Sequence, residues 1–340
     1  MAPESATTKC PMAKIDSVSD EILRYIKKKL KQMYGDDKPY RAVHAKSIGL
    51  VEAKFNIDND LPTHLKIGLF KEPGKKYKAW IRFTNGDSKV ASDKGIHVRG
   101  MAIKVLDVSS TQYLDYDKEG NTQDFILFTS RISVPGQLCE QFLIPRIAMA
   151  NFLVSKIALI TAIVTNKFKA ALGFLKGIIK TPNILEEMYF SATPYSYGAD
   201  KAKWHVRPLK TITNFLPENP RDNYLRERLI SDLSRNSNEE ISFAFFVQFQ
   251  ENENTEPIED PSVDWKTAFH RVATIILPKQ DLDTDERKEK DKNMSFSPGH
   301  AIPEHAPLGA INAVRRKVYE TLAKERFEHP MKDKSAAASK

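Results

Sequence analysis

The sequence predicts a β-centred α+β chain, on two patterns. Runs rich in β-branched and aromatic residues recur along it, most plainly Lys78 to Thr84, where Ile81 and Phe83 alternate with Trp80, Arg82 and Thr84. Apolar residues at helical spacing mark a segment near each end and one central block. Strands gathered together and flanked by helices read as α+β.

Taken in order, residues 1 to 16 are expected to be a mobile lead-in. A helix follows from about Ser19 to Met33, because Ile22, Ile26, Leu30 and Met33 make one apolar stripe before Gly35. In the strand Lys78 to Thr84, a period of two puts Arg82 and Thr84 on the same side. Met101 to Leu106, Phe125 to Thr129, Lys203 to Arg207, Ile241 to Gln250 and Ala268 to Leu277 read as further strands.

Residues 144 to 180 form an apolar and basic helical block. Its uncharged stretch between Lys156 and Lys167 falls short of the roughly 20 residues needed to span a bilayer, so it reads as core or as a peripheral membrane contact. Glu251 to Val263 reads as an acidic loop. Lys279 to Lys292 reads as a solvated connector of mixed charge to which no function needs to be assigned. The last helix runs from about Leu308 to Phe327, and residues 329 to 340 form a mobile tail. Residues 17 to 328 are expected to be one domain.

The chain has 340 residues, 41% hydrophobic and 28% charged, with a formal net charge of +8. These values fit a globular protein and favour anionic partners without naming one. Cys10 and Cys139 show no CxxC spacing, which argues against a disulfide framework or a cysteine zinc site and fits a reducing cytoplasm. Residues 1 to 15 lack the charged start and apolar run of a secretory signal. No nucleic-acid motif, phosphate loop or nucleophile elbow is present. His300, Glu304 and His305 lie among prolines and read as a turn, not as a helical zinc motif.

Two places carry chemistry. Residues 40 to 46 read Tyr-Arg-Ala-Val-His-Ala-Lys, so that Arg41 stands three residues before His44. A neutral imidazole can take a proton from a bound reactant and return it, and an arginine beside it can hold an anion. On the heptad alone, a structural histidine next to a surface arginine is the commoner reading. In the last helix Ile311, Arg315, Val318, Tyr319 and Leu322 share a face, with Arg316 and Lys317 turned away. A guanidinium against a phenol favours the phenolate, a competent ligand for ferric iron. Such ligation is known for haem in catalase.

Together these pieces resemble the catalase-like haem superfamily, most closely its small members of about this length. The segment around His44 is similar to the family's Arg-Val-Val-His-Ala-Lys. Trp80 to Thr84 resembles its Val-Arg-Phe-Ser strand, and Val98 to Lys104 its Pro-Arg-Gly-Phe-Ala-Val-Lys. Arg315 and Tyr319 keep the Arg-x-x-x-Tyr spacing of the proximal ligand.

The resemblance implies a catalase-like antiparallel β-barrel with surrounding helices, a C-terminal helix carrying the proximal tyrosine, and haem b as cofactor. It implies His44 as the distal acid/base and Thr84 as the hydroxyl that orients it. Arg41 and Arg82 become propionate partners, Tyr319 the iron ligand, and Arg315 its cationic neighbour. The family's distal Asn is missing, with Phe128 and Thr129 at the candidate positions, which implies weaker catalase activity.

The expected function is a haem-dependent hydroperoxide-decomposing oxidoreductase of catalase or peroxidase type. The alternatives are a fatty-acid hydroperoxide-rearranging enzyme at a membrane surface and a non-catalytic haem-binding protein. Hydrogen peroxide or an organic hydroperoxide is the expected partner, nucleic acid is not, and a homo-oligomer is left open.

Overall fold

The computed structural model describes residues 15–35, 41–42, 44–87, 90–109, 120–133, 178–210, 215–237 and 240–328. The expectations for residues 1 to 14, for most of 144 to 180 and for 329 to 340 lie outside these. Among the described residues no helix is long and apolar enough to cross a membrane.

Eight antiparallel strands close into a barrel. They are β1 (Ser47–Ile57), β2 (Lys76–Asn85), β3 (His97–Val105), β4 (Gln123–Phe128), β6 (Tyr189–Phe190), β8 (Asp200–Pro208), β9 (Ile241–Phe249) and β10 (Phe269–Leu277). The order around the barrel is β2-β1-β10-β9-β8-β6-β4-β3, and β3 pairs back onto β2. Closure leaves no edge strand within the ring. Two short strands lie off it: β5 (Ile178–Ile179) pairs with β3, and β7 (Tyr195–Tyr197) with β8.

Alternation along each strand sends one set of side chains inward. Phe55, Ile81, Phe83, Met101, Ile103, Phe125 and Phe245 belong to the main core. The Phe125 ring lies 4.8 Å from Phe245 and 5.2 Å from Trp204. The fold is therefore the expected α+β barrel. Strand β1 has the same signal in its buried Val51, Ala53, Phe55 and Ile57 against the exposed Glu52 and Lys54, although sequence reading passed over it.

Among the described residues four α-helices pack outside: α1 (Ile15–Tyr34), α2 (Tyr224–Leu233), α3 (Asp285–Asn293) and α4 (Gly309–Glu328). Helices α1 and α4 share an apolar seam of Val18, Leu23, Ile311, Val314 and Val318. Helix α3 falls in the charged run Lys279 to Lys292 that reads as a solvated connector, which is thus helical from Asp285 onward. Thr284 caps it, with its side chain accepting from the Arg287 amide, and none of its residues is fully buried. It docks by charge. Arg287 pairs with Glu52 at 2.9 Å, and the Arg287 and Lys290 cations lie 4.7 and 4.3 Å from the Trp80 ring centroid.

The expected turn at His300 to His305 is present as a 3₁₀ turn, Pro303–His305. His305 packs among Phe70, Tyr197 and Trp204 and accepts a hydrogen bond from the Leu69 amide, a structural role.

Candidate functional site

The site lies on the outer face of the barrel where β2, β3 and β4 run side by side. Their register aligns three rungs across the strands: Thr84, Gly100 and Phe128; Arg82, Ala102 and Ile126; Trp80, Lys104 and Asp124. The middle strand contributes Gly100 and Ala102 to the first two rungs. Small residues between larger ones make a trough in the sheet surface. Helix α4 and residues 295–296 cover it, enclosing a cavity of about 1050 Å³ counted with its mouth.

His44 comes from the loop before β1 and sits over Gly100. A Cβ on residue 100 would stand 2.9 Å from the imidazole and 2.5 Å from the Thr84 hydroxyl. The imidazole Nδ1 is 2.8 Å from Thr84 Oγ1, which leaves Nε2 as its other nitrogen. His44 has φ of +53°, a left-handed conformation that costs a non-glycine residue about 1–3 kcal/mol. The loop is tied down on both sides. Arg82 donates to the His44 carbonyl at 3.3 Å, and the Ala45 amide donates to Asp87. Lys46 pairs with buried Asp93 at 2.8 Å and faces away from the site. Burial, with Arg82 and Arg315 nearby, pushes the His44 pKa down to about 4. The imidazole is thus neutral at neutral pH, with one ring nitrogen free to accept a proton.

Helix α4 brings Arg315, Val318, Tyr319, Leu322, Ala323 and Arg326 to the cavity. The shared face of Arg315 and Tyr319 is as the helical spacing requires, and Arg316 is exposed. Arg315 Nη1 donates to Thr193 Oγ1 at 2.6 Å and to Asn312 Oδ1 at 3.0 Å. Its carbon lies 6.0 Å from the Tyr319 ring centroid. Burial works against the Arg315 charge, but the Tyr195 and Tyr319 phenols outweigh it and hold its pKa up.

All six side chains singled out from the sequence, Arg41, His44, Arg82, Thr84, Arg315 and Tyr319, therefore line one cavity. Arg326 lines it too and was missed, although it follows Tyr319 by seven residues and so shares its face. Thr193 and Asn312, which hold Arg315, gave no sequence signal. Phe128 lines the cavity, whereas Thr129 is spent on the Arg99 amide. No Asn or Gln lines it among the described residues.

The lining fits a flat, apolar, dianionic cofactor. Ala102, Ile126, Phe296, Val318 and Leu322 supply apolar surface, while four guanidiniums and no carboxylate face the space among the described residues. Burial, then Arg82 and Arg326, hold the Arg41 pKa well below its usual value, a cost that bound carboxylates relieve. Tyr319 is the one phenol of the lining among the described residues.

Gly100→Ala is expected to separate His44 from Thr84. The overpacking should cost about 1–3 kcal/mol, read as a lower unfolding midpoint with bulk secondary structure unchanged. A wild-type midpoint would mean that the close approach at Gly100 does not constrain His44.

No family model matches the chain, and no curated protein matches it in sequence. Solved structures do. A fungal catalase matches with a TM-score of 0.60 at 17% identity, covering 84% of this chain and 58% of that one. Catalase A from Saccharomyces cerevisiae matches with a TM-score of 0.62 at 17% identity, over 84% and 60%. A bacterial catalase matches with a TM-score of 0.64 at 15% identity, over 96% and 62%. The chain thus spans about 60% of the length of these catalases. At such identity the likeness establishes architecture: the chain has a catalase-like α+β fold, an eight-stranded antiparallel barrel with four α-helices among the described residues.

Proposed function

We propose that the chain is a haem-dependent oxidoreductase that decomposes hydroperoxides. One observation supports this above the others: a neutral histidine held by a hydroxyl and a tyrosine beside an arginine line the same trough, together with three further guanidiniums. Arg41, Arg82 and Arg326 would hold the haem carboxylates, and Tyr319 Oη would be the iron ligand, its charge balanced by Arg315. Haem supplies a Lewis-acidic iron and the redox chemistry when bound.

The protein's own part is proton management. His44 Nε2 accepts the proton of the hydroperoxide O–H and returns it to the departing oxygen, which leaves as water or an alcohol. Thr84 fixes the ring by its contact with Nδ1. Apolar side chains exclude water from the exchange.

The substrate side favours organic hydroperoxides alongside hydrogen peroxide. Phe128, beside Gly100 in the first rung, gives an apolar wall where the family places an amide. The fatty-acid hydroperoxide reading draws on the same wall. A haem-binding protein without turnover would have no need of the His44 and Thr84 pair.

The test is to load purified protein with haem and record its spectrum. A Soret band is expected, and its absence would sink the proposal. Tyr319→Phe should shift the ferric spectrum, and an unchanged spectrum would remove Tyr319 as the ligand. Oxygen release from hydrogen peroxide, set against product analysis with a fatty-acid hydroperoxide, then separates catalase from lipid chemistry.

A further inference from the structure

Asp291 stands in the last turn of α3, where a helix dipole disfavours an acid. Tertiary contacts explain the placement. Its carboxylate takes Arg82 Nε at 2.7 Å, in a pair of which little is exposed, 6% of the arginine side chain and 16% of the aspartate. Its carbonyl accepts Arg41 Nη2 at 2.8 Å, and the Met294 carbonyl accepts the same nitrogen at 2.5 Å. Both arginines meant for an anionic ligand are therefore gripped by one acid and the turn after it. Burial pushes the Asp291 carboxyl up, yet Arg82 and Arg41 outweigh it and keep it ionised.

Arg82 retains donors beyond these contacts, because Nε serves Asp291 and Nη1 serves the His44 carbonyl. Asp291 itself is absent from the cavity lining and lies behind Arg82. Any carboxylate entering the cavity meets a guanidinium whose charge is already partly spent.

We infer that Asp291 is the site's internal counter-carboxylate, competing with the carboxylates of a cavity ligand for Arg82 and so limiting the affinity of the site for anionic porphyrins. This rests on the haem reading for the identity of the ligand, but its own requirement is only a carboxylate-bearing porphyrin. Asp291 is a positioning residue here; it holds Arg82 and touches no reactant.

The probes are iron-free protoporphyrin IX and its dimethyl ester, in which two methyl groups cap the carboxylates and remove their charge, titrated by fluorescence into wild type and Asp291→Asn. The variant should raise the affinity ratio of acid to ester about tenfold, the scale of one charge-assisted hydrogen bond. The porphyrin-free variant should also unfold at a lower temperature. An unchanged ratio would reduce Asp291 to a structural tie, and a lowered ratio would make it an aid to binding; either overturns the inference. Should the Asn variant fail to fold, Asp291→Ser keeps an acceptor for Arg82 and should raise the ratio likewise. The haem reading fails separately: iron porphyrin bound without a spectral response to Tyr319→Phe removes Tyr319 as the iron ligand and leaves the competition standing. Wild type that binds neither porphyrin overturns both.

Discussion

Replacing His44 by Ala is expected to lower hydroperoxide turnover by roughly 10²–10⁴-fold while haem remains bound, because general acid/base catalysis contributes on that scale and the residues proposed to hold the haem are untouched. Steady-state rates at matched haem content test it, and retained turnover would contradict the proton-transfer role. The wild-type pH profile carries the same information. An ordinary histidine loses basicity below about 6.5. Burial, Arg82 and Arg315 bring His44 down to about 4, so the acid limb of the rate should fall near pH 4. Stability follows the same sign. The unfolded chain takes up this proton as pH drops below 6.5 while the folded protein resists until about 4, so the contribution of His44 is complete above pH 6.5 and is lost on descending to 4. His205 and His305, both pushed down to about 4 chiefly by burial, add to the same acid sensitivity.

Asp124→Ala should have the largest effect on stability. Asp124 and Lys104 are both fully buried and pair at 3.0 Å across β3 and β4. The carboxylate also takes His300 Nδ1 at 2.9 Å and the Ser297 amide at 3.0 Å, and the Asp124 amide donates to the His300 carbonyl at 2.8 Å. Removing it leaves a buried ammonium without its carboxylate, at a cost of about 3–5 kcal/mol. It also frees the turn from β4, and with it Phe296 in the cavity wall and Met294, whose carbonyl holds Arg41. Denaturant unfolding should show that loss, a large share of the roughly 5–15 kcal/mol typical of a folded domain. Pairing Asp124→Leu with Lys104→Met should restore much of it, since an apolar pair replaces a buried ion pair at little cost. Wild-type stability of the single variant would show that the pair is dispensable.

Much of this site was legible in the sequence. Period-two alternation in Trp80 to Thr84 placed Arg82 and Thr84 on one side, and helical spacing placed Arg315 with Tyr319; both faces turn to the cavity. Arg326 obeyed the same helical rule and was legible in principle. Asp291 was not, because a charged helix with no buried residue offers no periodicity that points one of its acids inward. Gly100 stood in a recognisable segment, but its meaning depended on which residues lie across from it.

What the sequence by itself determined was local: strand and helix, and the face each side chain takes. These follow from backbone repeats of two and 3.6 residues, which act over a few positions. Only the tertiary structure decided that the outer face of the barrel carries the site. It also set Gly100 and Ala102 between larger neighbours, placed His44 over the gap, and matched Asp291 to an arginine on β2. Each of these depends on interstrand register and on loops that bring residues about 40 to 210 positions apart into contact. No local repeat encodes such pairings. They are selected by barrel closure and by the need to match buried charge with opposite charge.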